Sequence, residues 1–252
     1  MIMSIAAAAN KILLTDFHSH CLPDLDDGAS DVATAVAMLR ASATQGVERV
    51  AATPHFYVGL HDAAAFFKER QRAYEDIKPL LDETMPQVVL GAEVLIREGI
   101  SRYDLSPFCL QDTNILLVEM PFMAPPIWLY EELENIVNRQ GLTLMYAHLD
   151  RYLSWYSHGD FEMLMDMPGS IMQVNADSIA DKKYFGSLLR HLPDTRRMVI
   201  GSDMHNMNHR SPRIGQAVKV LSKHRVGREW LNRIVFTTER LENYSDDAEG
   251  LL

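Results

Sequence analysis

Two histidines, His18 and His20, stand two apart in the run Asp16-Phe17-His18-Ser19-His20, which ends a short apolar stretch at Ile12, Leu13 and Leu14. Residues two apart share one face of a β-strand, so both imidazoles aim the same way. Two converging imidazoles are half of a metal site. The pair alone is a weak signal, since such dipeptides are commonly surface residues. The weight comes from the residues that close the other apolar segments. His55 closes one in Thr53-Pro54-His55, Glu93 another in Gly91-Ala92-Glu93, and Glu119 a third. His148 closes Tyr146-Ala147-His148, Asn175 ends a further segment, and Asp203 and His205 come just after Gly201. The loop after His20 adds Asp24, Asp26 and Asp27. Singly, each is more often a core histidine or a solvated carboxylate. Jointly, ligand-type residues at nearly every strand end argue for a metal centre, and mixed imidazole and carboxylate donors suit Mn, Zn or Fe(II), with enough groups for more than one ion.

The elements that must position these residues alternate. Strands are expected at 12–17, 47–53, 87–92, 114–118, 142–147, 171–175 and 198–201. Helices are expected at 31–45, 63–81, 128–140, 161–167, 214–221 and 230–234. Such alternation argues for parallel βαβ units, and seven repeats in a chain of 252 residues suit a closed or nearly closed α/β barrel of one domain. In parallel α/β folds the loops at the C-terminal ends of the strands converge on one face, which is where active sites gather. Residues 1–10 read as an N-terminal extension and the stretch from Glu239, about 241–252, as a polar tail.

The ordered set His-x-His, Thr-Pro-His, Gly-Ala-Glu, Glu, Ala-His-x-x-Arg-Tyr and Ser-Asp-x-His resembles the PHP (polymerase and histidinol phosphatase) superfamily. The runs His18-Ser-His-x-Leu-Pro-x-x-Asp-Asp-Gly28, Ala147-His-Leu-Asp-Arg-Tyr152, Gln173-Val-Asn175 and Ser202-Asp-Met-His-Asn206 are more narrowly similar to manganese-dependent protein tyrosine phosphatases encoded with bacterial capsular and exopolysaccharide biosynthesis. The resemblance spans about residues 14–240.

It implies a distorted TIM-like (β/α)7 barrel with three divalent ions, manganese first, with Fe, Zn, Co or Mg as alternatives. Carried over, His18, His20, Glu93 and Asp203 would hold one ion, and Glu93 would bridge to a second completed by Glu119 and His148. Asp27, His55 and His205 would hold the third. Asp27 is chosen over Asp24 and Asp26 because it directly precedes Gly28, as in the family motif. Arg151 and Arg210 would hold the phosphate through their planar guanidinium forks. A metal-bridging hydroxide would attack phosphorus, with Asp150 or a second bound water donating the proton to the leaving phenolate. The implied substrate is a phosphotyrosine protein, the tyrosine-rich tail of a bacterial kinase that regulates capsule or exopolysaccharide synthesis, and the family often forms homo-oligomers.

The chain departs from the family in its N-terminal extension, in Asp150 where a Glu is more familiar, and in ending Thr237-Thr-Glu-Arg240 without an Asn-Pro turn. A cysteine phosphatase needs Cys-x5-Arg, but Asp27 and Ile115 stand six residues after Cys21 and Cys109. Two cysteines without CxxC spacing fit a reducing cytoplasm. A net charge of −10 disfavours nucleic acid as partner, and no apolar run is long enough for membrane insertion. Two rival readings remain. One is a small-molecule phosphatase of histidinol-phosphate type. The other is a non-catalytic metal-binding regulatory barrel, which would lack a ligand or an arginine.

Overall fold

The computed structural model describes residues 14–192 and 197–242. The expected extension at 1–10, the first residues of the expected first strand and the tail from residue 243 lie outside them.

All strand pairs are parallel. One sheet has the order β1 (Leu14–Ser19), β2 (Val47–Ala52), β4 (Gln87–Leu90). The other runs β3 (His55–Phe56), β5 (Glu93–Leu95), β6 (Ile115–Glu119), β7 (Thr143–Tyr146), β8 (Ile171–Asn175), β9 (Met198–Gly201). Two expected strands are thus each cut in two. Pro54 separates β2 from β3, because it has no N–H to give the ladder. Gly91 lies between β4 and β5, where a Cβ would fall 2.6 Å from the Leu110 side chain. Backbone bonds cross from the first sheet to the second: His20 N donates to the Met204 carbonyl (3.0 Å) and Asp203 N to the His18 carbonyl (2.8 Å).

Between strands lie α1 (Val32–Ala43), α2 (Ala63–Ile77), α3 (Trp128–Gln140) and α4 (His158–Asp166). They are followed by α5 (Ala176–Ala180), α6 (Lys182–His191), α7 (Ile214–Lys223) and α8 (Arg225–Glu242). Side-chain caps start several of them: Asp31 accepts from Thr34 N at 2.7 Å, Asp62 from Ala65 N at 2.7 Å, and Ser157 forms a capping box with Asp160. Gly141 ends α3 in the left-handed region, φ 67°. Helix α6 was not expected from the sequence. The helix expected at 230–234 extends to Glu242, because Trp230, Leu231, Ile234, Thr237 and Thr238 recur on a buried face. Glu239, where the sequence begins to read as a polar stretch, is thus inside α8.

Strands β6, β8 and β9 are buried along their whole length, on both faces. Alternate residues divide between an outer core under the helices (Leu116 and Val118 of β6, Leu144 and Tyr146 of β7) and an inner cluster. The inner cluster holds Phe17, Ala51, Ile115, Leu117, Met145, Ile171 and Val199. Continuing that inner face along β6 brings Glu119 after Ile115 and Leu117, and along β8 brings Gln173 and Asn175 after Ile171. The inner face is thus apolar at the strand starts and polar at the strand ends. Strand β1 has an irregular register between Asp16 and Ser19. There the consecutive residues Phe17 and His18 both serve the interior, Phe17 in the inner cluster and His18 bonded to Gln173.

Candidate metal centre

The polar strand ends converge. Nε2 of His18 and Nε2 of His20 lie 3.1 Å apart. Glu93 Oε2 is 3.2 Å from the first, 3.3 Å from the second and 3.0 Å from His55 Nδ1. His148 Nε2 is 2.8 Å from Glu93 Oε1 and 3.4 Å from Glu119 Oε1. Asp27 Oδ1 is 3.3 Å from His205 Nε2 and 3.5 Å from His55 Nε2. Asp203 Oδ1 is 3.7 Å from His18 Nε2 and 3.6 Å from His20 Nε2. All nine residues singled out as ligands are therefore in one place. Three groups have donor atoms mutually within 4.8 Å: His20, Asp27, His55 and His205; His18, His20 and Asp203; His55, Glu93 and Glu119.

Backbone geometry aims two of these side chains. His148 follows β7 with φ 34°, and Asp203 follows β9 with φ 52°. Left-handed backbone at a non-glycine residue costs about 1–2 kcal/mol, and such strain clusters at functional sites.

A second set of groups holds the first in orientation. Nδ1–H of His18 donates to Gln173 Oε1 (3.0 Å), and that oxygen also accepts from His148 N (2.6 Å). Nδ1–H of His20 donates to Asp26 Oδ2 (2.6 Å), which also accepts from His55 N (3.0 Å). Nδ1–H of His205 donates to the Asp203 carbonyl (2.9 Å). Asn175 donates to Asp203 Oδ2 (3.0 Å). Gly201 leaves room for this arrangement, since a Cβ there would lie 2.6 Å from Gln173 Nε2 and 2.7 Å from His18 Cβ. Sequence reasoning gave Gln173 no role and set Asp26 aside. Both sit inside the quoted motifs, but nothing in a motif separates a donor from its support.

Burial disfavours charge on His20, yet hydrogen bonds to Asp26 and Glu93 prevail and raise its pKa to about 10. His148 behaves alike, raised to about 9 against burial by Glu119 and Glu93. Burial and the neighbouring His20 push His205 down to about 4. Burial works against the Glu93 carboxylate, but surrounding histidines hold its pKa well below the usual range.

Arg151 and Arg210 reach the rim from different elements and grip one carboxylate. Arg151 bonds Asp203 Oδ2, and Arg210 bonds Asp203 Oδ1 at 2.7 Å. Both keep about a third of their side chains in solvent. Asp150, one sequence candidate for proton donor, is buried and turned away. Its oxygens accept from Asn175 N (2.8 Å) and Ser178 Oγ (2.6 Å), so it pins the start of α5. Both cysteines are buried, and burial pushes each thiol up to about 12, which removes thiolate chemistry near neutral pH.

Comparison with known proteins agrees with this geometry. The chain is 29% identical over 218 residues to tyrosine-protein phosphatase YwqE of Bacillus subtilis, covering 83% of this chain and 84% of that protein. It is 27% identical over 229 residues to tyrosine-protein phosphatase CpsB of Streptococcus pneumoniae, covering 83% and 90%. Among solved structures, it superposes with a TM-score of 0.70 at 24% identity, over 89% of this chain and 95% of the other, on crystal structures of YwqE and CpsB described as metal-dependent tyrosine phosphatases. Histidinol phosphate phosphatase of Lactococcus lactis shares the fold at a TM-score of 0.50 and 16% identity, over 84% and 93%. The family model for capsular polysaccharide synthesis, CpsB/CapC, matches residues 14–241, from the first strand to the last helix. The chain belongs to the CpsB/CapC family.

Proposed function

We propose that this chain is a metal-dependent protein tyrosine phosphatase. The observation that carries the reading is the orientation of the imidazoles. His18, His20 and His205 each have Nδ1 engaged by a fixed acceptor, which turns Nε2 into the cluster as the atom left to bind a cation once it is unprotonated. That is how metal-binding histidines are held. His205 Nε2, which lies 3.3 Å from Asp27 Oδ1, is also buried without a hydrogen-bond partner. Buried polar atoms of this kind call for a partner, and a cation supplies one. Residues His18, His20, Asp27, His55, Glu93, Glu119, His148, Asp203 and His205 would hold the ions. We assign three ions, with manganese first. The donor set suits that number and accepts several divalent metals.

Bound divalent ions would supply an acidified water as nucleophile and neutralise charge on the phosphoryl oxygens. The rest falls to the chain. Arg151 and Arg210 bind and orient the phosphate at the rim. Gln173 and Asp26 keep the imidazoles in the donor tautomer. The phenolate of tyrosine has a pKa of about 10, so it leaves without a strong acid, and Asp150 is not needed for that step.

The architecture we infer is one domain with its strands closed into a seven-membered barrel. The backbone bonds from His18 and His20 to Asp203 and Met204 support closure of β1 onto β9. The tie of the family to capsular polysaccharide synthesis supports a phosphotyrosine substrate in that process, with a kinase tail as our preferred case. Two buried, unpaired cysteines fit a reducing compartment such as the cytoplasm. Among the described residues no helix is long and apolar enough to cross a membrane.

The test strips the protein with a chelator and restores Mn, Zn, Fe, Co or Mg singly. Hydrolysis of a phosphotyrosine peptide and of histidinol phosphate is followed in parallel. Peptide turnover that disappears with the metal and returns with one ion supports the reading. Turnover that survives complete metal removal overturns the mechanism, and a preference for histidinol phosphate overturns the substrate.

A further inference from the structure

One side of the rim is aromatic, and the mechanism makes no use of it. Phe122 lies in the loop after β6, three residues beyond Glu119. It keeps 45% of its surface exposed, and Trp155 keeps 43%. The Phe122 ring stacks on His148, with centroids 5.6 Å apart and planes 21° apart. It stacks equally on Tyr152, at 5.2 Å and 19°. Trp155 meets Phe122 edge-on, at 5.7 Å and 63°. The loop is not loose. The Tyr152 hydroxyl accepts from Met120 N (2.9 Å) and donates to the Met120 carbonyl (3.0 Å), which clasps the residue after Glu119 to the 3-10 turn Leu149–Ser154. That same turn carries Arg151.

Arg151 and Trp155 of the turn and Phe122 of the loop clasped to it therefore sit together beside His148, with the two exposed rings 63° apart. Two rings set at such an angle form a corner. A third ring entering it can stack on one and meet the edge of the other, the two arrangements that aromatic quadrupoles favour. Exposed aromatic surface at the lip of a polar pocket is also surface that a ligand would remove from water.

We propose that Phe122, flanked by Trp155, is the specificity-determining platform for the phenyl ring of the substrate, so that the site selects aryl over alkyl phosphate esters. The proposal rests on the phosphatase reading and deepens it. Tyr57 is the competing platform. It stacks on His55 across the cluster, at 5.7 Å and 17°. It belongs to a different element from Arg151, whereas the loop of Phe122 is clasped to the Arg151 turn. Its ring carries a hydroxyl, whereas the Phe122 ring carries no polar atom.

The experiment uses metal-loaded full-length protein and two non-hydrolysable probes, phenylphosphonate and methylphosphonate, with binding measured directly by calorimetry and by competition. In Phe122→Ala, phenylphosphonate binding should weaken about tenfold and methylphosphonate by less than about twofold, the scale of one lost ring contact. Phe122→Tyr, which restores a ring, should recover phenylphosphonate binding. Trp155→Ala should show a smaller loss of the same kind. Equal weakening of both probes in Phe122→Ala, no weakening of either, or a selective loss in Tyr57→Ala alone would overturn the proposal. The two readings fail separately. Wild-type protein that prefers phenylphosphonate through Phe122 yet cleaves no phosphotyrosine peptide sinks the phosphatase assignment and leaves ring recognition standing. Wild-type protein that cleaves the peptide without selectivity at Phe122 does the reverse.

Discussion

Gln173 and His18 are 155 residues apart and share a hydrogen bond of 3.0 Å from Nδ1–H to the amide oxygen. The same oxygen takes the backbone N–H of His148 at 2.6 Å. One buried amide thus fixes two residues of the cluster. Gln173→Leu should remove both anchors and leave the His148 N–H without an acceptor. We expect metal affinity to fall roughly 10- to 100-fold and the fold to lose about 1–3 kcal/mol. Metal content after dialysis and thermal unfolding check this. A variant that retains wild-type metal content refutes the role of Gln173.

Metal loading should release protons. Metal-free His20 and His148, raised to about 10 and about 9, carry their protons at neutral pH, whereas His205, lowered to about 4, does not. A metal ion requires the neutral imidazole, so near pH 7.5 saturation should expel the protons of His20 and His148 at least, and affinity should climb as pH rises towards 9. Calorimetry in two buffers of different ionisation enthalpy measures the number. Identical heats in both buffers would contradict the assignment of these imidazoles as ligands.

Arg151 and Arg210 each take one oxygen of Asp203. A lysine keeps the charge but loses the planar fork. Arg151→Lys and Arg210→Lys should each lower kcat/KM for a phosphotyrosine peptide about tenfold. Because both groups meet on Asp203, the double variant should lose less than the product of the single losses. Steady-state kinetics decide, and wild-type kinetics in Arg151→Lys would remove its phosphate-binding role.

Gly201→Ala tests the crowding behind the cluster. The new methyl would lie 2.6 Å from Gln173 Nε2 and 2.7 Å from His18 Cβ. Overpacking of this kind costs about 1–3 kcal/mol. The thermal midpoint should fall and metal content should fall with it. Gly159→Ala, whose nearest neighbour would be Ser157 Oγ at 3.8 Å, serves as the control that shows neither effect.

What the sequence reveals here comes from periodicity. Residues 171–175 and 198–201 are strands over the expected spans, marked by Ile171, Met172 and Val174 and by Met198, Val199 and Ile200. Helix α3 begins at Trp128 and ends at Gln140 as expected, since Gly141 stops it. The nine expected ligands meet because they stand at or just beyond strand ends that all point the same way. Less legible are features created by long-range contact. The two-residue strand β3 exists only by pairing with β5, and helix α6 packs too few apolar residues to stand out. Gln173 looks like any polar residue in a strand until His18 arrives beside it. Asp150, adjacent to Arg151, is one proton donor the sequence offers, but its carboxylate is spent on Asn175 N and Ser178 Oγ.

The irregularity in β1 constrains length more than composition. Phe17 plugs the apolar end of the interior and His18 begins the polar end, although they are neighbours in the chain. Inserting or deleting one residue between Asp16 and Ser19 would turn a plug into a ligand or a ligand into a plug, and no side-chain replacement elsewhere could undo the exchange. The count of residues between Asp16 and Ser19 is therefore as strict a requirement as the imidazole of His18 itself.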